Sequence, residues 1–291
     1  MPSVVIAAHN EERVIGRCLE ALQGQTLAEP VSIVVSANGC TDRTAVAAAR
    51  PGVTVIDRQE PGKAGALNAG DRVAIGYPRI YLDADIVMPP GGLTAIMDRF
   101  GDASHPLAVV PARRLAVAGR PWPVRAYASI NERLPAFRTG LFGRGMIALS
   151  EEGRARFDDF PDQTADDLFL DSLFSDAERA VSGDVVVSVE APYTTGDLVR
   201  RLVRVRRGNA AMRSTAASAA GPAAVRRADR WAWLRDVVVP EPRLAPAAVA
   251  YVVLTVTAAL LARRPAGAAE WGRDESTRTH AAYETDRGAM R

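Results

Sequence analysis

The chain has 291 residues, enough to bury one large core or two small ones, and with 48% hydrophobic and 24% charged residues it reads as globular. A net charge of +2 argues against a nucleic-acid-binding protein unless the basic residues cluster. Cys18 and Cys40 form no C-x-x-C pair and His9, His105 and His280 are far apart, so no disulfide framework or zinc spacing is visible; no basic leader precedes Ser3, which predicts a protein without a signal peptide in a reducing compartment.

Ser3 to Ala8 is a short apolar run with β-branched residues and predicts a strand. His9-Asn10-Glu11-Glu12 follows as a polar turn, and Val14, Ile15, Cys18, Leu19 and Leu22 fall at helical spacing. Asn10 stands at the N-cap position with acids in the first turn. The pattern repeats with a strand over 31–35, a turn over 37–42 and a helix over 43–49, then a strand over 53–56, a loop over 61–65 and a helix from Ala66 to Ala74. A fourth strand leads from Ile80 into Asp83-Ala84-Asp85 and is closed by Pro89-Pro90. Hard cations such as Mg²⁺ and Mn²⁺ take carboxylate oxygens together with substrate phosphates, and alternate side chains at a strand end share a side. Asp83 and Asp85 are therefore metal-ligand candidates, although a solvated Asp-x-Asp turn reads the same way.

Strands alternating with helices imply right-handed crossovers and a parallel sheet covered on both faces, with ligands at the carboxyl ends of the strands. On that reading Asn10, Glu11, Asn38, Asp42, Lys63, Asn68, Asp83 and Asp85 converge on one cleft. Taken singly, Asn10, Asn38 and Asp42 serve equally well as turn formers and caps. Lys63 is the single lysine among 36 basic residues, so its place in a glycine-rich loop asks for a specific explanation.

Val-Val-Ile-Ala-Ala-His-Asn-Glu-Glu at 4–12, Asn-Gly-Cys-Thr-Asp-Arg-Thr at 38–44, Gly-Lys-Ala-Gly-Ala-Leu-Asn-Ala-Gly at 62–70 and Asp-Ala-Asp at 83–85 resemble, in order and spacing, the signatures of the GT-A glycosyltransferases of the large inverting family two. The resemblance implies an α/β, Rossmann-like fold with a mostly parallel sheet flanked by helices. It also implies a nucleoside-diphosphate-sugar donor, with a UDP-sugar expected. Glu11, with Asn10 beside it, and Asn38 would then hold the base and ribose, and Lys63 would offset pyrophosphate charge or hold the metal-binding loop. The family commonly has Asp where this chain has Asn38, which removes a charge and lets an amide meet a different base edge.

A fifth strand is expected over 107–111. From Arg113 to Gly140 periodicity weakens, and that stretch is where acceptor contacts are expected, although a helical excursion with ordinary buried aromatics fits as well. Leu141 to Ser150 is apolar and broken by Gly143 and Gly145, which allow close backbone approach to a ligand. Gln163 to Asp171 opens a helix with Thr164 as its N-cap and Asp167 in an acidic capping box. The resemblance supplies another role: the family carries an acidic pair at the start of such a helix, its second member being the catalytic base, and here that residue is Asp167. Inverting displacement needs a base that takes the acceptor hydroxyl's proton opposite the leaving group.

Leu198 to Ala228 holds eight arginines and no acid. Arg204 and Arg207 are the candidates for pyrophosphate contacts, which suit bidentate guanidinium geometry; a solvated or membrane-facing basic surface explains the rest. Arg204-Val205-Arg206-Arg207-Gly208 stands where related processive enzymes carry an element ending in Arg-Trp, and the missing Trp points to single transfer. Leu244 to Ala262 runs 19 residues without a charge, long enough to span a bilayer. Pro246, many alanines, and Arg263-Arg264 at the far end leave spanning, interfacial and soluble placements open.

The expected organisation is a nucleotide-sugar-binding half over 1–110, an acceptor-binding and catalytic-base half over 111–210, a basic linker over 211–243, an apolar helix over 244–262 and a polar tail over 263–291. The expected function is a Mn²⁺- or Mg²⁺-dependent inverting glycosyltransferase at the cytoplasmic face of the cell membrane, acting on a sugar, lipid-linked or small-molecule acceptor. A sugar-nucleotide nucleotidyltransferase would carry a glycine-rich pyrophosphate loop where Ala7-Ala8-His9-Asn10-Glu11 stands. A catalytically silent nucleotide-sugar-binding protein would keep the same fold. The lack of G-x-G-x-x-G after the first strand argues against a dinucleotide-dependent dehydrogenase.

Overall fold

The computed structural model describes residues 1–162, 166–218 and 229–264. The first part alternates as expected: β1 (Ser3–Ala8), α1 (Ile15–Gln23), β2 (Ser32–Asn38), α2 (Thr44–Ala48), β3 (Val53–Arg58), α3 (Lys63–Val73) and β4 (Arg79–Asp83). Then follow α4 (Gly92–Asp98), β5 (Ala108–Ala116), α5 (Trp122–Asn131), α6 (Pro135–Thr139), β6 (Met146–Leu149) and α7 (Glu151–Arg154). The chain continues through α8 (Asp166–Ser172), β7 (Arg179–Glu190), α9 (Thr195–Ser218) and α10 (Ala245–Ala262).

The seven strands form one sheet in the order β3-β2-β1-β4-β6-β5-β7. β1 pairs in parallel with β2 and β4, and β2 with β3, whereas β6 runs antiparallel to both β4 and β5. The sheet is thus mostly parallel with an antiparallel insertion. Strand order reverses between β1 and β4, the switch point at which open α/β sheets hold ligands, and register places Asp83 beside Ala7 there.

Two compact units divide the chain. The first comprises Met1–Arg113 and Leu141–Ser188. Its core follows from strand alternation: Val5, Val34 and Tyr81 point to one face and pack with Ala64 and Leu67 of α3, Phe160, and Leu170 and Phe174 of the α8 region. Asp71 of α3 ties this face together, because its carboxylate accepts from Arg79 and Tyr81 of β4 and from Arg154 of α7. Arg79 and Asp71 are buried, and breaking such a buried pair typically costs about 3–5 kcal/mol.

The second unit comprises Arg114–Gly140 and Val189–Arg291. Within it Val124 of α5, Leu198 of α9 and Leu254 of α10 share one cluster, and Ile130, Val237 and Ala248 share another. Tyr127 stacks on Tyr251 at 5.3 Å. Arg207 of α9 donates to the carbonyls of Leu261, Ala262 and Arg264, closing the C-terminal end of α10 where helix carbonyls lack partners.

Several sequence expectations are corrected. Asn10 caps no helix: α1 begins at Ile15 with no acid in its first turn, and Asn10 instead takes a left-handed φ of 54° in the preceding turn. Lys63 opens α3 rather than lying in a loop, because Gly62 supplies the turn at φ 146°. β5 crosses the 110/111 boundary and Leu141–Ser188 joins the first unit. In the stretch 113–140 β5 continues to Ala116, and α5 and α6 follow. The linker expected from 211 begins as helix, since α9 runs to Ser218. β7 was not expected, although Val185, Val187 and Val189 are buried while Val186 and Ser188 are not, the period-two signal of a strand. The Thr164 cap lies outside the described residues.

Candidate active site at the sheet switch point

Four short segments meet at the carboxyl end of the sheet in the first unit. The turns after β1 and β2 are laced together. Asn10 Oδ1 accepts from Thr41 N at 2.8 Å, the Glu11 amide donates to Thr44 Oγ1 at 2.8 Å, and Glu12 Oε2 accepts from Arg43 N at 3.2 Å. Asp42 accepts from the amides of Glu12 and Thr44, so its carboxylate sets the turn. Asn38 is 2% exposed; its Nδ2 donates to Ala8 O at 2.7 Å and its Oδ1 accepts from Gly62 N at 3.0 Å. A buried amide with both ends bonded to backbone fixes where β1, β2 and the entry to α3 meet. His9 Nδ1 meets the Asn38 carbonyl at 2.5 Å on the same seam.

Lys63 stands at the head of α3 with its ammonium 2.8 Å from Asp83 Oδ1 and 3.0 Å from Asp166 Oδ2. Burial works against its charge, but Asp166 and Asp83 outweigh that and hold the ammonium well above the ordinary lysine range. Farther along α3 lies Asn68. It clasps the backbone of Phe160, Oδ1 accepting from its N–H at 2.7 Å and Nδ2 donating to its carbonyl at 3.1 Å. That clasp fixes the chain leading toward α8.

Asp167 opens α8 beside Asp166. Its Oδ2 accepts from Gly143 N at 2.9 Å and its Oδ1 from Leu168 N at 2.8 Å. Burial and the neighbouring Asp166 push its carboxyl up to about 6, Lys63 and the Gly143 amide pull the other way, and Asp83 adds a smaller upward push. A carboxyl near 6 is suited to proton transfer around neutral pH.

Asp83 ends β4 and its amide donates to Gly145 O at 2.8 Å. Asp85 follows in an exposed turn. Burial, with the Asp85 and Asp83 carboxylates beside it, pushes the Cys18 thiol up to about 12, leaving it an inert core group. A hard cation suits this donor set of two carboxylates. Asp83 Oδ2 lies 3.5 Å from where a Cβ on Gly145 would stand, so the absent side chain leaves that flank of the carboxylate clear. Among the described residues no group of three or more His, Cys, Asp or Glu side chains encloses an ion. A cation here would complete its shell with phosphate and water oxygens, the usual habit of Mg²⁺.

The structure thus brings Lys63, Asp83, Asp166 and Asp167 into direct or near contact, with Asp85 one residue beyond Ala84. It places Asn10, Glu11, Asn38 and Asp42 in the adjoining turns and Asn68 at the Phe160 clasp. Arg204 and Arg207 belong to α9 in the second unit. Sequence reasoning missed the hydrogen bond from Lys63 to Asp166; the Gly143 and Gly145 pair flagged the loop without naming its partners.

Residues 3–148 match the family model described as Glycosyl transferase family 2. An uncharacterised glycosyltransferase of Mycobacterium tuberculosis is 32% identical over 121 residues, 42% of this chain and 52% of that protein. An undecaprenyl-phosphate 4-deoxy-4-formamido-L-arabinose transferase of Pseudomonas aeruginosa is 32% identical over 132 residues, 42% of this chain and 39% of that one. This chain therefore spans about half or less of the curated relatives it matches. Among solved structures, a mannosyltransferase from Pyrobaculum calidifontis in complex with GDP-Man and Mn²⁺ superposes with a TM-score of 0.57 at 21% identity, covering 99% of this chain and 79% of that one. With half of its length matched to the family model, the chain belongs to glycosyl transferase family 2.

Proposed function

We propose that this protein is a metal-dependent inverting glycosyltransferase that moves a sugar from a nucleoside-diphosphate sugar, a UDP-sugar foremost, to a hydroxyl acceptor. The observation that carries the reading is Lys63 bridging Asp83 and Asp166 at the sheet switch point, with Asp167 next to them. That arrangement sets a cation-binding acid and a candidate base on either side of one fixed ammonium.

Asp85, with Asp83, would hold Mn²⁺ or Mg²⁺, which when bound offsets the charge that develops on the departing diphosphate. The Mn²⁺ and GDP-Man in the archaeal mannosyltransferase support a cation and a nucleotide sugar here. Asn10, Glu11, Asn38 and Asp42 shape the rim that receives base and ribose. Lys63 holds Asp83 in place and adds a permanent positive charge. Asp167 takes the proton of the acceptor hydroxyl at a carboxylate oxygen, opposite the leaving group.

The exposed apolar surface of α10 supports contact with a membrane, which the proposal puts at the cytoplasmic face. Of its 18 residues only Ala248, Leu254 and Ala258 are buried, whereas a soluble core helix of this composition is mostly enclosed. Val249, Val253, Val256 and Leu260 are exposed at spacings of four, three and four, which aligns them on one face.

The test is nucleoside diphosphate release from a panel of UDP- and GDP-sugars with Mn²⁺, compared for the parent, Asp85→Asn and Asp167→Asn. Loss of a general base typically lowers kcat by about 10²–10⁴-fold. Folded variants that turn over at the parent rate would refute the assignment, and conversion of a nucleotide sugar and added pyrophosphate to nucleoside triphosphate and sugar 1-phosphate would favour a nucleotidyltransferase.

A further inference from the structure

The short loop between Leu141 and β6 touches both halves of the acid cluster through its backbone. The Gly143 N–H donates to Asp167, and the Gly145 carbonyl accepts from the Asp83 amide at 2.8 Å. Both glycines are left-handed, at φ 68° and 70°, which holds the loop in a conformation that other residues rarely adopt. Between them lies Arg144, a charged residue that is only 2% exposed. Its Nη1 donates to Pro111 O at 2.8 Å, anchoring the loop to β5, and Asp171 of α8 is close enough to support its charge. Burial pulls the guanidinium down to about 10, so it remains a cation at neutral pH. Asp171 also accepts from Leu141 N at 2.9 Å, and Arg113 of β5 donates to Gly143 O at 3.0 Å.

We propose that Arg144 is a positioning residue: by pinning the Gly143–Gly145 loop to β5 it fixes the peptide N–H that orients Asp167 and the carbonyl that orients Asp83, and so sets the base against the donor end of the site. The proposal rests on the reading of the site as a glycosyltransferase centre. A buried cation is costly unless its partners hold it, and this one, held by the Pro111 carbonyl, sits between the two glycines whose peptides meet Asp167 and Asp83. Around Asp167 the charged groups are Asp166 on its own helix, Lys63 from α3 and Asp83 from β4; the Gly143 N–H is the uncharged group that favours its carboxylate. A loosened loop removes that donor.

The experiment compares the full-length parent, Arg144→Lys and Arg144→Met for nucleoside diphosphate release from UDP- and GDP-sugars with Mn²⁺. Misplacement by about 1 Å can cost about 10²-fold, so Arg144→Met is expected to lose about 10- to 100-fold in kcat with donor KM little changed. Its acidic limb is expected to move to higher pH, and Arg144→Lys to recover most of the rate. Retention of parent kcat and limb would overturn the proposal, as would a loss of kcat that merely tracks the unfolded fraction with the limb unmoved. If Arg144→Met does not fold, the limb of Arg144→Lys decides. A folded parent inactive on every donor would refute the enzymatic reading instead. The positioning role is then read from hydrogen exchange over 141–147, expected to quicken in Arg144→Met more than in Arg144→Lys and refuted if unchanged in both.

Discussion

Lys63 has two carboxylates within hydrogen-bond reach, and a third, Asp167, lies behind them with its own charge held back. That combination predicts the pH dependence. Asp167 has its carboxyl raised to about 6 by burial and Asp166, against about 3.9 in an unfolded chain. Donor turnover by the parent should therefore fall as pH drops through about 6, because the base becomes protonated, and Asp167→Asn should lose that limb. The sign for stability is opposite: the raised carboxyl favours the fold below its unfolded value, and that contribution is lost as pH rises through about 6. A rate profile flat between pH 5 and 7 would discount Asp167 as the base. At this scale Asp83, Asp85 and Lys63 were legible because a strand end and a glycine-flanked turn place such residues at a cleft, whereas Asp166 and Asp167 were singled out through the family resemblance. What Asn38 and Asn68 do was not legible. An amide satisfied by backbone 30 or 92 residues away leaves no local pattern.

Among the elements α3 does the most to assemble the site. Lys63 meets the acids, Asn68 clasps Phe160, and Asp71 gathers Arg79, Tyr81 and Arg154, so one helix sets β4, α7 and the approach to α8. The 143–145 loop is the matching element across the acids. A Cβ on Gly145 would stand 2.5 Å from the Ile86 side chain, besides being strained at φ 70°. Gly119 has a similar φ of 68° and nothing within 4 Å, so Gly119→Ala isolates the backbone cost. The left-handed term is about 1–2 kcal/mol and overpacking adds about 1–3 kcal/mol. Gly145→Ala should accordingly lower unfolding free energy in urea by clearly more than Gly119→Ala does; equal losses would mean that Ile86 yields freely. The alternating strands and helices up to β4 were readable because each apolar run kept its own period. β6 and β7 were harder, since β6 lies antiparallel between β4 and β5 and β7 sits at the sheet edge beside β5, places that depend on partners distant in sequence, and the start of α3 slipped where Gly62, not a capping side chain, made the turn.

Across the whole molecule, the first unit carries the acid cluster, and the second carries the arginine-bearing α9 and the apolar α10. Arg243 is 83% exposed before α10 and Arg263 and Arg264 are exposed after it, so both ends of the helix are basic. Each such arginine near an anionic bilayer contributes about 1 kcal/mol, and the attraction weakens with salt. The protein should co-sediment with phosphatidylglycerol vesicles more than with phosphatidylcholine ones, less so at high salt, and Val253→Glu with Val256→Glu should abolish it. Undiminished sedimentation of the double variant would remove α10 from the contact. The apolar length of this helix was plain from composition, but which residues it leaves uncovered required the packing of α5 and α9. Finally, a chain of this length with a single ε-amine responds in an unusual way to amine-directed reagents. Acylation has one side chain to find, and that group is clamped as an ammonium by two acids. Its sluggish labelling, and any change when those acids are neutralised, would report on the cluster without a substrate, a metal or an assay of transfer.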